Sequence, residues 1–235
     1  QQFASIASHD LQEPLRKIKM FTSVLKKNWS DILPAEGKVV MNKITASSDR
    51  MAQLIKEVLE YSKIAYGTRE FIRTDLHAIL QNVLGDVDLL LEETSAEIDY
   101  QEPLPVIDAI PLQMHQLFYN LLTNALKFRK SNTQPKVRIA ARFLSATDMQ
   151  NFSSLAVNTP YIDVTVSDNG IGFNAQFSKQ IFQIFERLHS TEEYEGTGVG
   201  LALCEKIVEN HRGHIYAVSK EGEGASFHVI LPVKQ

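Results

Sequence analysis

Asp168-Asn169-Gly170-Ile171-Gly172-Phe173 is the stretch on which the fold turns. It follows Tyr161-Ile162-Asp163-Val164-Thr165-Val166-Ser167, which alternates polar and apolar residues as a half-buried strand does. Ile162, Val164 and Val166 share one face of that strand, and Asp168 falls on the same side. A carboxylate turned toward a core is costly unless something donates to it, and a ligand's amino group is a suitable donor. Further on, Gly196-Thr197-Gly198-Val199-Gly200-Leu201 runs directly into a segment of helical period, with Leu203, Cys204, Ile207, Val208 and His211 on one side. Glycines that open a helix let backbone N–H groups close on phosphate oxygens, helped by the helix dipole. The two stretches together predict a nucleotide pocket. Neither a Gly-x-x-x-x-Gly-Lys-Ser/Thr nor a Gly-x-Gly-x-x-Gly pattern occurs, so the pocket is neither a P-loop nor a dinucleotide fingerprint.

The 235 residues admit one large domain or two small ones, and 44% hydrophobic content is enough for a core. A net charge of -4 argues against nucleic acid as a partner, because no broad basic surface is available to hold it. Cys204 is the single cysteine, which excludes an internal disulfide and any cysteine-cluster metal site. Its place on the apolar side of its helix reads as a small core residue. No run approaches the roughly 20 apolar residues of a membrane span, and no leader pattern is present. The sequence opens at Gln1, without methionine, inside a helical pattern. It is read as a cytoplasmic fragment whose missing upstream part holds a sensor domain, with membrane anchoring of the full-length protein left open.

Residues 1–66 are helical in pattern with one break at 29–37, where Asp31, Pro34 and Gly37 form turns. Phe3, Ala7, Leu11, Ile18, Phe21 and Leu25 recur before the break at threes, fours and sevens. Val40, Ile44, Ser47, Met51, Leu54 and Val58 continue the rhythm after it. Two helices joined by a short turn make an antiparallel hairpin. A lone hairpin cannot bury such a stripe, so a second copy completing a four-helix bundle is expected: a homodimer. His9 lies roughly 180° from the mean direction of this stripe at about 100° per residue, which turns it toward solvent. A surface histidine without a role is the ordinary reading. Two neighbours count against it: Asp10 can orient the ring and raise its basicity, and Pro14 kinks the helix beside it. An exposed His-Asp pair at a kink suits a nucleophile that is reached from outside.

Residues 67–73 read as a linker, and 74–235 alternate helices and strands. Asp75 is expected to cap a helix over 76–93, followed by a short strand at 97–101 and a loop marked by Pro103 and Pro105. Asp108 is expected to cap, and Pro111 to open, a helix over 112–128. Strands are expected at 136–143, 161–167, 214–219 and 226–231. The polar stretch 145–160 reads as a long connection without evident chemistry. On the helix over 112–128, Asn120, Asn124 and Lys127 stand at i, i+4 and i+7 and share a face within roughly 60°. A solvated face is the usual reading of such a trio. Here the three are set among Leu117, Phe118, Leu121, Leu122, Ala125 and Phe128, where unpartnered polar groups are costly. An amide oxygen suits Mg²⁺ and an ammonium suits phosphate, so this face reads as the opposite wall of the pocket.

These residues resemble a sensor histidine kinase of two-component signalling. More widely they resemble the ATP-binding fold shared with gyrase, the Hsp90 chaperones and MutL mismatch-repair proteins. Ser8-His9-Asp10-Leu11-Gln12-Glu13-Pro14-Leu15 resembles the family's phosphoacceptor box. Asn120-Leu121-Leu122-Thr123-Asn124-Ala125-Leu126-Lys127-Phe128 resembles its asparagine box, whose second asparagine binds Mg²⁺. Asp168 to Phe173 resembles the first glycine box, whose aspartate takes the adenine amino group. Ile181-Phe182-Gln183-Ile184-Phe185-Glu186-Arg187-Leu188-His189 resembles the phenylalanine box, with Arg187 at the phosphate-facing position. Gly196 to Gly200 resembles the second glycine box and Gly222-Glu223-Gly224 the third. The wording of the first box, and of Phe185-Glu186-Arg187-Leu188-His189 with 193–198, is similar to kinases of the phytochrome type.

The resemblance implies an α+β chain: a dimeric helical hairpin over 1–66, then an α/β sandwich that binds ATP and Mg²⁺. It implies autophosphorylation of His9 assisted by Asp10, with transfer to an aspartate on the receiver domain of a response regulator. Asp168, Gly170 and Gly172 would hold adenine, and Asn120 and Asn124 the metal. Lys127, Arg187, Gly196, Thr197, Gly198, Gly200 and Leu201 would surround the phosphates, with 188–195 as a lid hinged at Gly196 and His189 incidental within it. Two positions depart from the pattern. Glu13 stands where a threonine or asparagine supports dephosphorylation of the partner, so little phosphatase activity is expected. Ala225 stands where serine or threonine is common. Two alternatives remain at this level. One is an ATP-hydrolysing clamp, which needs a carboxylate where His115 and Gln116 stand. The other is a non-catalytic dimerisation and docking module, which would tolerate losses in the boxes.

Overall fold

The computed structural model describes residues 2–29, 31–66, 70–150, 152, 155–156, 159–188, 194 and 196–235, and of residues 2–11 and 65–66 the backbone alone. The chain divides into two compact units, 1–67 and 68–235.

The first unit is a hairpin of α1 (Gln2–Trp29) and α2 (Ala35–Tyr66). Lys26 and Lys27 fall in the last turn of α1, where they complement its negative end. The turn between the helices is closed by Leu33 N–H donating to the Trp29 carbonyl at 3.0 Å. Leu15 and Met41 are buried between the helices together with Thr22 and Ser48, whose hydroxyls bond carbonyls of their own helix. The stripe read from the sequence is not the buried one. Phe21 is 59% exposed, and Ile18, Leu25, Val40, Ile44, Met51 and Val58 are exposed with it.

The second unit carries a five-stranded sheet in the order β2-β4-β5-β7-β6, from β2 (Glu97–Tyr100), β4 (Lys136–Phe143), β5 (Tyr161–Asp168), β6 (His214–Lys220) and β7 (Gly224–Pro232). β2 runs parallel to β4 and the remaining pairs are antiparallel. A two-stranded sheet pairs β1 (Ile72–Asp75) with β3 (Val106–Ala109). The register aligns Ile139 with Val166, Val166 with Phe227, and Val164 with Val229, so one face of the large sheet is uniformly apolar. Buried residues of α3 (Leu76–Asp86), α5 (Pro111–Lys127) and α7 (Gly200–Asn210) complete the core with it. These include Leu80, Leu117, Leu121, Leu122, Leu203 and Ile207.

Four local expectations differ from the fold. β1 begins at Ile72, inside the stretch read as linker. The helix expected over 76–93 is capped as predicted, the Asp75 carboxylate accepting from His77 and Ala78 N–H groups, but it breaks at Val87 into α3 and α4 (Asp88–Thr94). Asp108 is a strand residue. The N-cap of α5 is Ile110, which makes no side-chain cap hydrogen bond, and its N–H donates to the buried His211 Nε2 at 3.1 Å. The described part of the 145–160 connection covers the second face of the sheet. After the short α6 (Ala146–Met149), Phe152 and Leu155 pack with Tyr161, Ile230 and Tyr216. Asp163 is therefore buried although it alternates with the core face. It is held by His228 Nδ1 at 3.2 Å and the Arg142 guanidinium at 3.4 Å.

Candidate functional site

Asp168 ends β5, where the strand delivers its carboxylate to the rim of the helix-covered face. Its Oδ1 accepts the Gly170 N–H at 2.8 Å and the Ala225 N–H at 3.3 Å. Burial pushes this carboxyl above its ordinary range, while the two backbone donors and Lys130 pull the other way. The group is thus fixed in place by the backbone yet poorly compensated, which leaves it seeking a further donor. The glycines around it are dictated by close approach. A Cβ at Gly170 would stand 2.4 Å from the Phe128 carbonyl oxygen, which accepts the Ile171 N–H at 2.9 Å. At Gly224, with φ +94°, it would stand 2.0 Å from the Asp168 carbonyl oxygen. The third glycine stretch is thereby locked against the first. Asn169 is missed by the sequence reading. Its side chain bonds Lys136 N–H and the Gln134 carbonyl, tying the entry to β4 to the end of β5.

α5 meets this rim along the face that carries Asn120, Asn124 and Lys127. Gln116 Nε2 donates to Asn120 Oδ1 at 3.0 Å, and Asn120 Nδ2 donates to the Gly200 carbonyl at 3.2 Å. Among the described residues the Asn124 side-chain amide makes no hydrogen bond. The Lys127 ammonium lies 4.4 Å from the Phe128 ring centroid and beside Gly196, 2.5 Å from where a Cβ would stand. The Phe128 ring also meets that of Tyr194, with centroids 5.2 Å apart. Arg187 donates to the Tyr194 carbonyl at 2.6 Å. The phenylalanine and second glycine stretches are joined where Phe185 N–H donates to the Gly198 carbonyl at 3.0 Å. Phe185 itself adopts φ 68° there. Val199 is buried and caps α7, and Leu201 lies in its first turn.

The fold therefore brings Asn120 to Gly200, Lys127 to Gly196, and Phe128 to Gly170, three contacts along the C-terminal half of α5. Thr197 and Gly172 fall within the same two glycine stretches. The result is one cleft with a half-buried carboxylate at one end, backbone N–H groups of a helix start at the other, and amide and ammonium groups between. Such a set can hold a heterocycle bearing an amino group and a chain of phosphates. His115 turns out of this cleft, its Nε2 lying 2.9 Å from the Asp86 carboxylate. Cys204 is buried, its thiol pushed up to about 12 by burial, and it is a core residue as expected. The side chains of His9 and Asp10, and His189 with most of the 188–195 segment, lie outside the described residues.

Comparison with known proteins agrees with this geometry. A family model described as histidine kinase-, DNA gyrase B- and HSP90-like ATPase matches residues 109–235, and one described as His Kinase A (phospho-acceptor) domain matches 1–67. Cyanobacterial phytochrome A of Nostoc sp. is 41% identical over 231 residues, which are 98% of this chain and 28% of that protein. The chain thus spans under a third of that relative's length. Full-length ShkA, solved in complex with AMPPNP, superposes with a TM-score of 0.69 at 22% identity, over 98% of this chain and 45% of that one. Histidine kinase ThkA, solved in complex with response regulator protein TrrA, superposes at 0.62 and 22% identity, over 99% of this chain and 61% of that one. The chain belongs to the histidine kinases, with their phosphoacceptor domain over its first 67 residues and the ATP-binding fold they share with gyrase B and Hsp90 over 109–235.

Proposed function

We propose that this chain phosphorylates itself on His9 at the expense of ATP and passes the phosphoryl group to an aspartate on a response-regulator receiver domain. The observation that carries the reading is the Asp168 carboxylate. It is half-buried and held by two backbone N–H groups at the mouth of a cleft whose far end is the start of α7. Asp168 takes the adenine amino group. The backbone of 196–201, with Lys127 and Arg187, faces the phosphates. The Asn124 amide has no partner among the described residues, and its oxygen suits a hard cation, while the Lys127 ammonium one helical turn further on suits phosphate. Asn124 and Asn120 would hold Mg²⁺, which would neutralise phosphate charge. Phosphoryl transfer depends mainly on positioning and charge neutralisation, and these residues supply both. A neutral ring nitrogen of His9, oriented by Asp10, forms the new N–P bond as the bond from the γ-phosphorus to the bridging oxygen breaks and ADP leaves.

Two copies joined through the exposed stripe of the hairpin form the working unit. Hydrolysis by a clamp-type ATPase needs a carboxylate base upstream of Asn120. His115 there is committed to Asp86, and Gln116 is an amide engaged with Asn120. The test is a chase. A chain carrying labelled phosphate, mixed with its cognate receiver domain, gives up the label to the receiver as an acyl phosphate. Release as inorganic phosphate, with none on the receiver, would favour hydrolysis. Once on the receiver the label is expected to persist, because Glu13 replaces the amide or hydroxyl that would position a water and is itself paired with Lys17 at 2.8 Å.

A further inference from the structure

Gln116 stands one helical turn before Asn120, and the two side chains with Gly200 form a chain of two hydrogen bonds, 3.0 Å and 3.2 Å long. A carbonyl can only accept, so Asn120 must turn its nitrogen to Gly200 and its oxygen back toward Gln116. Gln116 must then present its own nitrogen. The chain has one self-consistent polarity, and it runs from α5 to the first residue of α7. Cys204, one turn along α7, lies against the same amide: burial raises its thiol and the Asn120 side chain works in the opposite direction.

We propose that Gln116 is a positioning residue for the nucleotide site. It fixes the Asn120 amide, which holds the first turn of α7 against α5 and so sets the gap between Asn124 and Lys127 on one wall and the backbone of 196–201 on the other. The proposal rests on the nucleotide reading above and deepens it, and Gln116 acts through Asn120 alone. A carboxylate at 116 would set oxygen against Asn120 Oδ1. If Asn120 turned over to relieve this, its oxygen would meet the Gly200 carbonyl instead.

The test compares Gln116→Glu and Gln116→Met with the parent chain in MgADP affinity and, without nucleotide, in the rate at which iodoacetamide labels Cys204. At about pH 8, loss of one hydrogen bond in Gln116→Met weakens MgADP binding about fivefold, and the opposed oxygens in Gln116→Glu weaken it about tenfold or more. Cys204 labels about tenfold faster in Gln116→Glu, because α7 is no longer tied to α5. Parent-like affinity in Gln116→Met together with parent-like Cys204 labelling in both variants overturns the proposal. Any loss confined to the glutamate would then be simple repulsion of phosphate. If the parent itself binds no MgADP, the nucleotide reading fails, and the Cys204 rates alone decide whether Gln116 orders α7.

Discussion

At the scale of single residues, Asp168 carries the account, and its surroundings separate its role in the fold from its role in binding. Both of its protein donors are backbone N–H groups. An amide oxygen accepts from them equally well, and removing a charge whose burial is unfavourable does not cost stability. Asp168→Asn is therefore expected to melt within about 2 °C of the parent, or above it. The new NH₂ group, however, faces the adenine amino group donor to donor. MgADP affinity is expected to fall by about tenfold to a hundredfold, the cost of one lost charge-assisted hydrogen bond plus an unpaired buried donor. Calorimetric titration beside a melting curve reads both. A variant that melts like the parent and binds like the parent removes Asp168 from the adenine site.

At the scale of elements, two helices make claims of their own. α3 contains Gly85, and nothing lies within 4 Å of where its Cβ would stand. Gly85→Ala is expected to stabilise the ATP-binding unit by about 0.5–1 kcal/mol, from helix propensity and a less flexible unfolded chain. Urea denaturation measures it, and a destabilised variant would mean that the break at Val87 needs the glycine. In the hairpin, polar Thr22 and Ser48 share the buried seam with Leu15 and Met41 while Phe21 is left exposed. Covering Phe21 is worth about 1.5–3 kcal/mol per copy, and a two-fold interface counts it twice. Sedimentation equilibrium is expected to show a dimer that Phe21→Asp weakens by about a hundredfold or more. Dimerisation unchanged in that variant would place the interface elsewhere.

At the scale of the whole molecule, most elements and the membership of the cleft were legible because they depend on local period. β4 is an eight-residue alternation, and Asn120, Asn124 and Lys127 follow helical spacing. The elements that were not legible depend on distant partners. β3 is four residues beside prolines, too short for a period, and exists through pairing with β1. The N-cap of α5 is settled by His211, remote in sequence, so Asp108 looked like the better cap. Phe152 and Leu155 are covered only because the sheet's second face also needs a cover. Likewise the spacing of Gln116 and Asn120 is ordinary, and the Gly200 carbonyl alone gives their amides a direction. The most direct measurement is incubation of the chain with MgATP labelled at the γ-phosphate. Acid-labile, base-stable label is expected on the parent chain and none on His9→Gln. Label retained in His9→Gln would contradict it.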